Sequence, residues 1–248
     1  MSGRKTLGII GGLGPMASVL FCEYIVSHTK AERDQDHINF LLSSRADTPD
    51  RTAFIVGRSS ESPLPALITE GKRLCSAGAE VIAIPCNTSH HFYDELAREI
   101  PAKLLNMPRE CAEFCSHQGF KRVGVLATEG TVKAGIYRSA LEAVGIEYAT
   151  CSEQDQKVIS NTIYAAIKQG KAPDTESFLA VAGSFADQGC DAVILGCTEL
   201  SCMKRELASE VRFIDPMEIL AACAITECGA TPCGFDDDIL SFLKMKGR

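Results

Sequence analysis

Val81-Ile-Ala-Ile-Pro-Cys86-Asn-Thr88 and Ala192-Val-Ile-Leu-Gly-Cys197-Thr-Glu199 are two short apolar runs, each ending at a cysteine followed by polar, helix-capping residues. Aliphatic, β-branched runs of this length, closed by Pro or Gly, read as strands buried on both faces, as a parallel sheet requires. The two stretches align without a gap at an offset of 111 residues, setting Gly78, Glu80, Ile82 and Cys86 against Gly189, Asp191, Val193 and Cys197. A strand end repeated together with its cysteine implies a repeated unit and two thiols serving one site.

Comparable runs alternate with helical patterns on both sides. In the first half, strands are expected at Thr6–Ile10, Ile38–Ser43 and Val81–Pro85, with helices at Met16–Glu32, Ser62–Ala77 and Ser89–Ile100. The second half repeats the scheme: strands at Arg122–Leu126, Glu147–Thr150 and Ala192–Leu195, with helices near Ala134–Val144, Asp155–Gln169, Thr175–Gln188 and Glu199–Ala208. A second internal match sets Leu7-Gly-Ile-Ile-Gly-Gly-Leu-Gly-Pro15 against Val123-Gly-Val-Leu-Ala-Thr-Glu-Gly-Thr131 at an offset of 116 residues. The architecture expected is α/β: two pseudo-symmetric doubly wound domains with parallel sheets and an active site in the cleft between them. Residues 1–117 plus 214–248 are expected to form one domain and 118–213 the other, with the chain returning through Phe213-Ile-Asp-Pro216 and a helix from Glu218 to Glu227. The tail from Gly229, rich in Gly, Pro and Asp before a last short helix, carries no functional signal.

The 248 residues are 46% hydrophobic and 23% charged, ordinary values for a globular protein, and the net charge is −7. The 25 Lys and Arg are scattered, which argues against nucleic-acid and membrane-surface partners and leaves a small molecule as the expected ligand. The run Leu7–Ile10 is too short for a signal peptide, and no stretch is long enough to span a membrane, so a cytoplasmic protein is expected. Twelve cysteines lie mostly within apolar or helical patterns, and no CxxC pair occurs. Cys111-x3-Cys115-x-His117, and Cys223, Cys228 and Cys233, could be read as zinc ligands, but helical spacing accounts for Cys111 and Cys115, and no metal is expected.

Ligands of open α/β sheets bind beyond the carboxyl ends of the strands, where Cys86 and Cys197 both fall. Each thiol precedes a helix start, which favours a thiolate and can hold a carboxylate, and Asn87, Thr88, Ser89 and Thr198 add caps or hydrogen bonds there. Gly12-x-Gly14-x-x-Ala17 loosely fits a dinucleotide fingerprint. Against it, Pro15 removes an N–H from that turn, and the second strand ends at Ser43-Ser44-Arg45 without the acidic residue that would hold a ribose, so a carboxylate-binding turn is preferred. Asp47-Thr-Pro-Asp-Arg51 reads as a turn bordering the same cleft, from which Arg51 could fork onto a carboxylate. Lys168, taken alone, reads as a helix-end cation. His90 and His91 open a helix and read equally as surface, capping or site residues.

Taken in order, Gly-Gly-Leu-Gly-Pro15-Met-Ala, Pro49-Asp-Arg51, Pro85-Cys-Asn-Thr88, Leu126-Ala-Thr-Glu-Gly-Thr131 and Gly196-Cys-Thr-Glu199 resemble the aspartate/glutamate racemase family, in its cofactor-independent aspartate racemase branch. Glu199 after Cys-Thr carries the aspartate likeness, since glutamate racemases usually have His there. The resemblance implies two pseudo-symmetric α/β domains, often a homodimer, no cofactor, and an amino-acid substrate. It also implies catalytic Cys86 and Cys197, with Arg51 and Lys168 near the substrate side-chain carboxylate. The expected substrate-binding set is Gly14, Pro15, Met16, Arg51, Asn87, Thr88, Thr128, Thr131, Lys168, Thr198 and Glu199. The segment Glu218-Ile-Leu-Ala-Ala222 departs from the His-Ala-rich helix usual in these proteins. The reaction expected is a two-base racemisation of aspartate, and of glutamate as a further candidate, in which one thiolate removes the α-proton and the other thiol delivers one to the opposite face. Three other readings stand beside it: a related two-cysteine isomerase of another acid such as maleate or a hydantoin, a non-catalytic amino-acid sensor, and a dinucleotide-dependent enzyme.

Overall fold

A computed structural model describes residues 3–204, 207 and 209–247. Its strands are β1 (Leu7–Gly11), β2 (Phe40–Ser44), β3 (Val81–Ala83), β4 (Lys103–Leu104), β5 (Arg122–Ala127), β6 (Glu147–Thr150), β7 (Ala192–Gly196) and β8 (Phe213–Ile214). They form two parallel four-stranded sheets, ordered β2-β1-β3-β4 and β6-β5-β7-β8, so the second sheet repeats the first strand for strand. The central strands β1, β3 and β7 are buried along their whole length, as their unbroken apolar runs require.

Twelve helices among the described residues complete the fold: α1 (Pro15–Ser27), α2 (Arg51–Ile55), α3 (Leu64–Ser76), α4 (Tyr93–Glu99), α5 (Met107–His117), α6 (Glu129–Lys133), α7 (Ile136–Glu142), α8 (Glu153–Ser160), α9 (Thr175–Asp187), α10 (Thr198–Lys204), α11 (Pro216–Glu227) and α12 (Asp237–Met245). Gly8 on β1 and Gly124 on β5 occupy equivalent positions in the repeat. A Cβ at the first would overlap Ile82 and Ala79 and press on the α3 residue Leu74 at 3.2 Å, and at the second it would overlap the Phe185 ring of α9. Each half therefore seats a helix closely on its sheet over a glycine.

One apolar cluster runs through both halves, taking Phe21 and Ile25 from α1, Phe114 from α5, Val123 and Val125 from β5, Leu141 from α7, and Ile219 to Ile225 from α11. Two smaller clusters cover the remaining faces of the two sheets. The helix α11 is apolar all round because it is buried all round, and it starts at Pro216 behind Asp215, whose carboxylate accepts from Met217 N–H at 2.9 Å. By contrast α1, equally apolar around its circumference, leaves Met16, Val19 and Val26 exposed at 69%, 57% and 47%.

The sequence expectation differs from the structure in its details. The two-residue edge strands β4 and β8 were not foreseen, and Phe213–Ile214, expected on the way back to the first half, first pairs with β7. The helix expected from Met16 to Glu32 stops at Ser27, because Thr29 bridges to Pro232. Ser89–Ile100 is a 3-10 turn, Thr88–Phe92, followed by α4. The helix expected over 155–169 is α8, then a π-helical turn at Asn161–Ala166 and a 3-10 turn at Ile167–Gln169. α10 ends at Lys204, and Ala208, the expected end of that helix, lies outside the described residues. The tail loops past the end of α1, with Lys30 N–H donating to Thr231 O, before α12 packs on α5 and α11. Among the described residues no helix is long and apolar enough to cross a membrane.

Candidate active site

The strand-end loops of both halves meet around a small inner chamber of about 20 Å³. Cys86, Asn87 and Thr88 reach it from the end of β3, Thr128 from the end of β5, and Cys197, Thr198 and Glu199 from the end of β7. Arg51 and Lys168 complete its wall. Arg51, Lys168, Glu199 and Asp50 also face an outer depression of about 700 Å³, which Gly14, Pro15 and Met16 line. The first-strand turn thus borders the approach to the chamber, and from that loop Leu13 is the residue that lines the chamber itself.

Cys86 follows a tight turn in which its own N–H donates to Ile84 O at 2.7 Å. Behind it His90 is buried. Met107 N–H donates to His90 Nε2 at 3.2 Å, so Nδ1 carries the ring proton and donates to Cys86 O at 3.0 Å. Burial lowers this imidazole to about 4, so it stays neutral. His90 is therefore a backbone prop for the cysteine loop, while His91 is exposed and lines a separate surface groove.

Asn87 accepts at Oδ1 from the Tyr137 hydroxyl of α7, in the other half. Its Nδ2 is buried and has no hydrogen-bond partner among the described residues. The hydroxyls of Thr88, Thr128 and Thr131 form a triangle with sides of 3.1, 2.8 and 3.1 Å, and Thr52 donates into it at Thr128 from 3.3 Å. Each hydroxyl has a single proton, so the triangle consumes its own donors and stitches the two halves together. Thr131 lies behind Thr88 and Thr128 and does not line the chamber.

The Cys197 thiol donates to Glu199 Oε2 at 2.9 Å, and Glu199 Oε1 lies 2.8 Å from Lys168 Nζ. One carboxylate therefore bridges a thiol and an ammonium. Burial, reinforced by the Glu199 charge, pushes the Cys197 thiol well above its ordinary range despite the opposing pull of Lys168. Burial pulls Lys168 down, but the charge of Glu199 at ion-pair distance outweighs it and the ammonium is held above its usual value. Gly14, at φ 126°, clears the space for this bridge, since a Cβ there would stand 2.6 Å from Glu199 Oε1.

Lys168 sits on the 3-10 turn that follows the π-helical turn, and the π-helical turn itself brings Tyr164 into the chamber, with the ammonium 5.7 Å from the centre of its ring. Burial raises the Tyr164 phenol to about 12. Arg51 opens α2, and its Nη1 donates to Thr48 O and Pro49 O, both at 3.1 Å, while Nη2 donates to Leu13 O at 3.2 Å. Its first task is to clamp the loops after β1 and β2 together. Three of its hydrogen bonds are spent on carbonyls, and a guanidinium has five donors, so at least two remain for a ligand.

Leu13, Asp50, Thr52 and Tyr164 line the chamber and were not foreseen. Tyr164 had a signal in its spacing, four residues before Lys168 on one helical face. Asp50 had one in its position just ahead of α2, where its carboxylate accepts from Ala53 N–H at 2.6 Å.

A family model described as Asp/Glu/Hydantoin racemase matches residues 10–224. The broad specificity amino-acid racemase RacX of Bacillus subtilis is 28% identical over 227 residues, which cover 89% of this chain and 96% of that protein. An aspartate racemase structure from Picrophilus torridus aligns at a TM-score of 0.81 with 33% identity, over 92% of this chain and 96% of the other. A glutamate racemase structure from Francisella tularensis, in complex with D-glutamate, shares the fold at a TM-score of 0.64 with 19% identity, over 90% of this chain and 81% of the other.

Proposed function

This chain belongs to the Asp/Glu/hydantoin racemase family, and from that premise we propose that it interconverts L- and D-aspartate, without pyridoxal phosphate, by passing protons between two cysteines. The observation that carries this reading is that Cys86 and Cys197, one from each half, face the same buried chamber. Inversion at a carbon needs a base on one side and an acid on the other, and two thiols of interchangeable role serve both directions.

Cys197, kept protonated by burial and by Glu199, is the resting acid, which leaves Cys86 to act as the base. As the α-C–H bond breaks, its proton goes to Cys86. The electron pair left on carbon takes the Cys197 proton on the opposite face. The enzyme is left with the reversed proton pattern, which is the starting pattern for the other enantiomer. Asn87 Nδ2 and the residues around Thr198 receive the α-carboxylate, and Arg51 and Lys168 the side-chain carboxylate.

The test follows α-proton exchange and optical rotation of each aspartate enantiomer in deuterated water, with no added cofactor. Cys86→Ser and Cys197→Ser are each expected to lose roughly 10²-fold or more in racemisation, since a serine hydroxyl is a far weaker acid and base than a thiol. Near-normal racemisation by both variants would remove the two-thiol reading. A broader substrate range is the second reading, favoured by the likeness to RacX over nearly the whole chain. A panel of apolar, basic and acidic amino acids separates the two, and turnover of aspartate alone supports the first.

A further inference from the structure

Asn87 stands beside Cys86 with its two amide ends in different situations. Its oxygen accepts from Tyr137, whereas its nitrogen is buried without a partner. A buried N–H pair left unpaired is costly, and a ligand atom that only accepts would remove that cost. Asn87 lines the chamber, and its neighbour Cys86 is the base, so the acceptor nearest to hand is the carboxylate on the carbon being deprotonated.

The amide could in principle turn over and present its oxygen to the substrate instead, which would repel a carboxylate. The Tyr137 side chain opposes that. It is fully buried on α7 and crosses from the second half to reach Asn87 in the first. Burial, with the neighbouring Cys111, Asp215, Cys115 and Cys197 adding to it, holds the phenol protonated, so it remains a donor through the working pH range. The phenol oxygen could also accept from an amide N–H, but among the described residues the phenol proton's acceptor is Asn87 Oδ1, so turning the amide over would leave that buried proton unpaired, and the observed orientation, with the amide nitrogen turned away, is favoured.

Resting on the racemase reading above, we infer that Tyr137 is a positioning residue: its hydroxyl, donating to Asn87 Oδ1 across the seam, fixes the amide so that Nδ2 serves as the donor to the substrate's α-carboxylate. Because this contact joins the two halves, the carboxylate site is complete only when the seam is closed. Tyr137 itself touches no substrate.

The experiment measures racemisation of aspartate, and separately calorimetric binding of succinate, a dicarboxylate that the enzyme cannot racemise. Tyr137→Phe is expected to raise both KM and the succinate Kd about tenfold, the worth of one hydrogen bond, and to change kcat less. Asn87→Ala is expected to do the same, and the double variant no more than either single one, because the phenol acts only through the amide. A Tyr137→Phe protein with wild-type Kd, or single effects that multiply in the double variant, would overturn the inference. A purely structural role would lower the melting temperature and leave the Kd of the folded fraction alone. In the wild-type protein, the side-chain NH2 signal that disappears in Asn87→Ala should shift when succinate is added, and an unmoved signal would also overturn it. Succinate binding that behaves as expected, without any α-proton exchange in wild type, would sink the racemase reading and leave the role of Tyr137 standing.

Discussion

Glu199 holds a proton donor on one oxygen and a cation on the other, so its charge adds to burial in keeping Cys197 protonated. Replacing it by Gln removes the anion that disfavours the thiolate and leaves Lys168 close by. The Cys197 pKa is expected to fall, so in Glu199→Gln the alkaline limb of the racemisation profile should move to lower pH. The direction in which Cys197 gives its proton should suffer most, and initial rates from each enantiomer across pH measure both effects. Both thiols were legible in the sequence because a cysteine at the end of a buried strand and before a capped helix is an uncommon placement, and here it occurs twice. The supports of those thiols were not legible. Nothing local in Asn87-Thr-Ser-His90 says that the histidine reaches back to the Cys86 carbonyl and forward to Met107 N–H, because that contact exists only once α5 is docked.

At the scale of elements, the 3-10 turn Thr88–Phe92 is pinned between β3 and the start of α5 through His90. This gives the fold a pH dependence with a definite sign. The imidazole lies at about 4 in the folded protein against 6.5 ordinarily. Above pH ~6.5 neither state holds the extra proton and the contribution is complete, whereas between ~6.5 and ~4 the unfolded chain takes up a proton that the folded one refuses. Stability should therefore fall as pH falls through that window, by about 3 kcal/mol at most from this group. Urea denaturation at pH 4 to 7 is expected to show a shallower slope for His90→Asn than for wild type, together with lower stability at pH 7. Strand positions and most helices were legible because the apolar period changes visibly between them. The break after α8 was not, since Asn161-Thr-Ile-Tyr-Ala-Ala166 has good helical composition and only packing turns it into the π-helical turn ahead of Lys168. Edge strands of two residues, β4 and β8, are too short to carry any period.

In the whole molecule the duplication seen in the sequence becomes two sheets of matching order, but the main apolar cluster crosses between them, which the repeat alone could not reveal. Among the described residues, three of the exposed large hydrophobic side chains share one surface, the outer side of α1, with Met16, Val19 and Val26. An apolar face of this kind on a family of enzymes is expected to meet a second copy about a two-fold axis. Sedimentation should give twice the chain mass for the wild type, and a charge placed mid-face by Val19→Glu should yield the single-chain mass. The chamber at the centre has a consequence of its own. Its cysteines are buried, and Lys168 and Glu199 stand in the wall shared with the outer depression, so a bound ligand shields the thiols from bulk water until it leaves. The site should then keep an isotopic memory. In deuterated water the inverted product is expected to carry a solvent deuteron from its first appearance, while the recovered starting enantiomer, re-formed with its own returned proton, stays nearly unlabelled at early times.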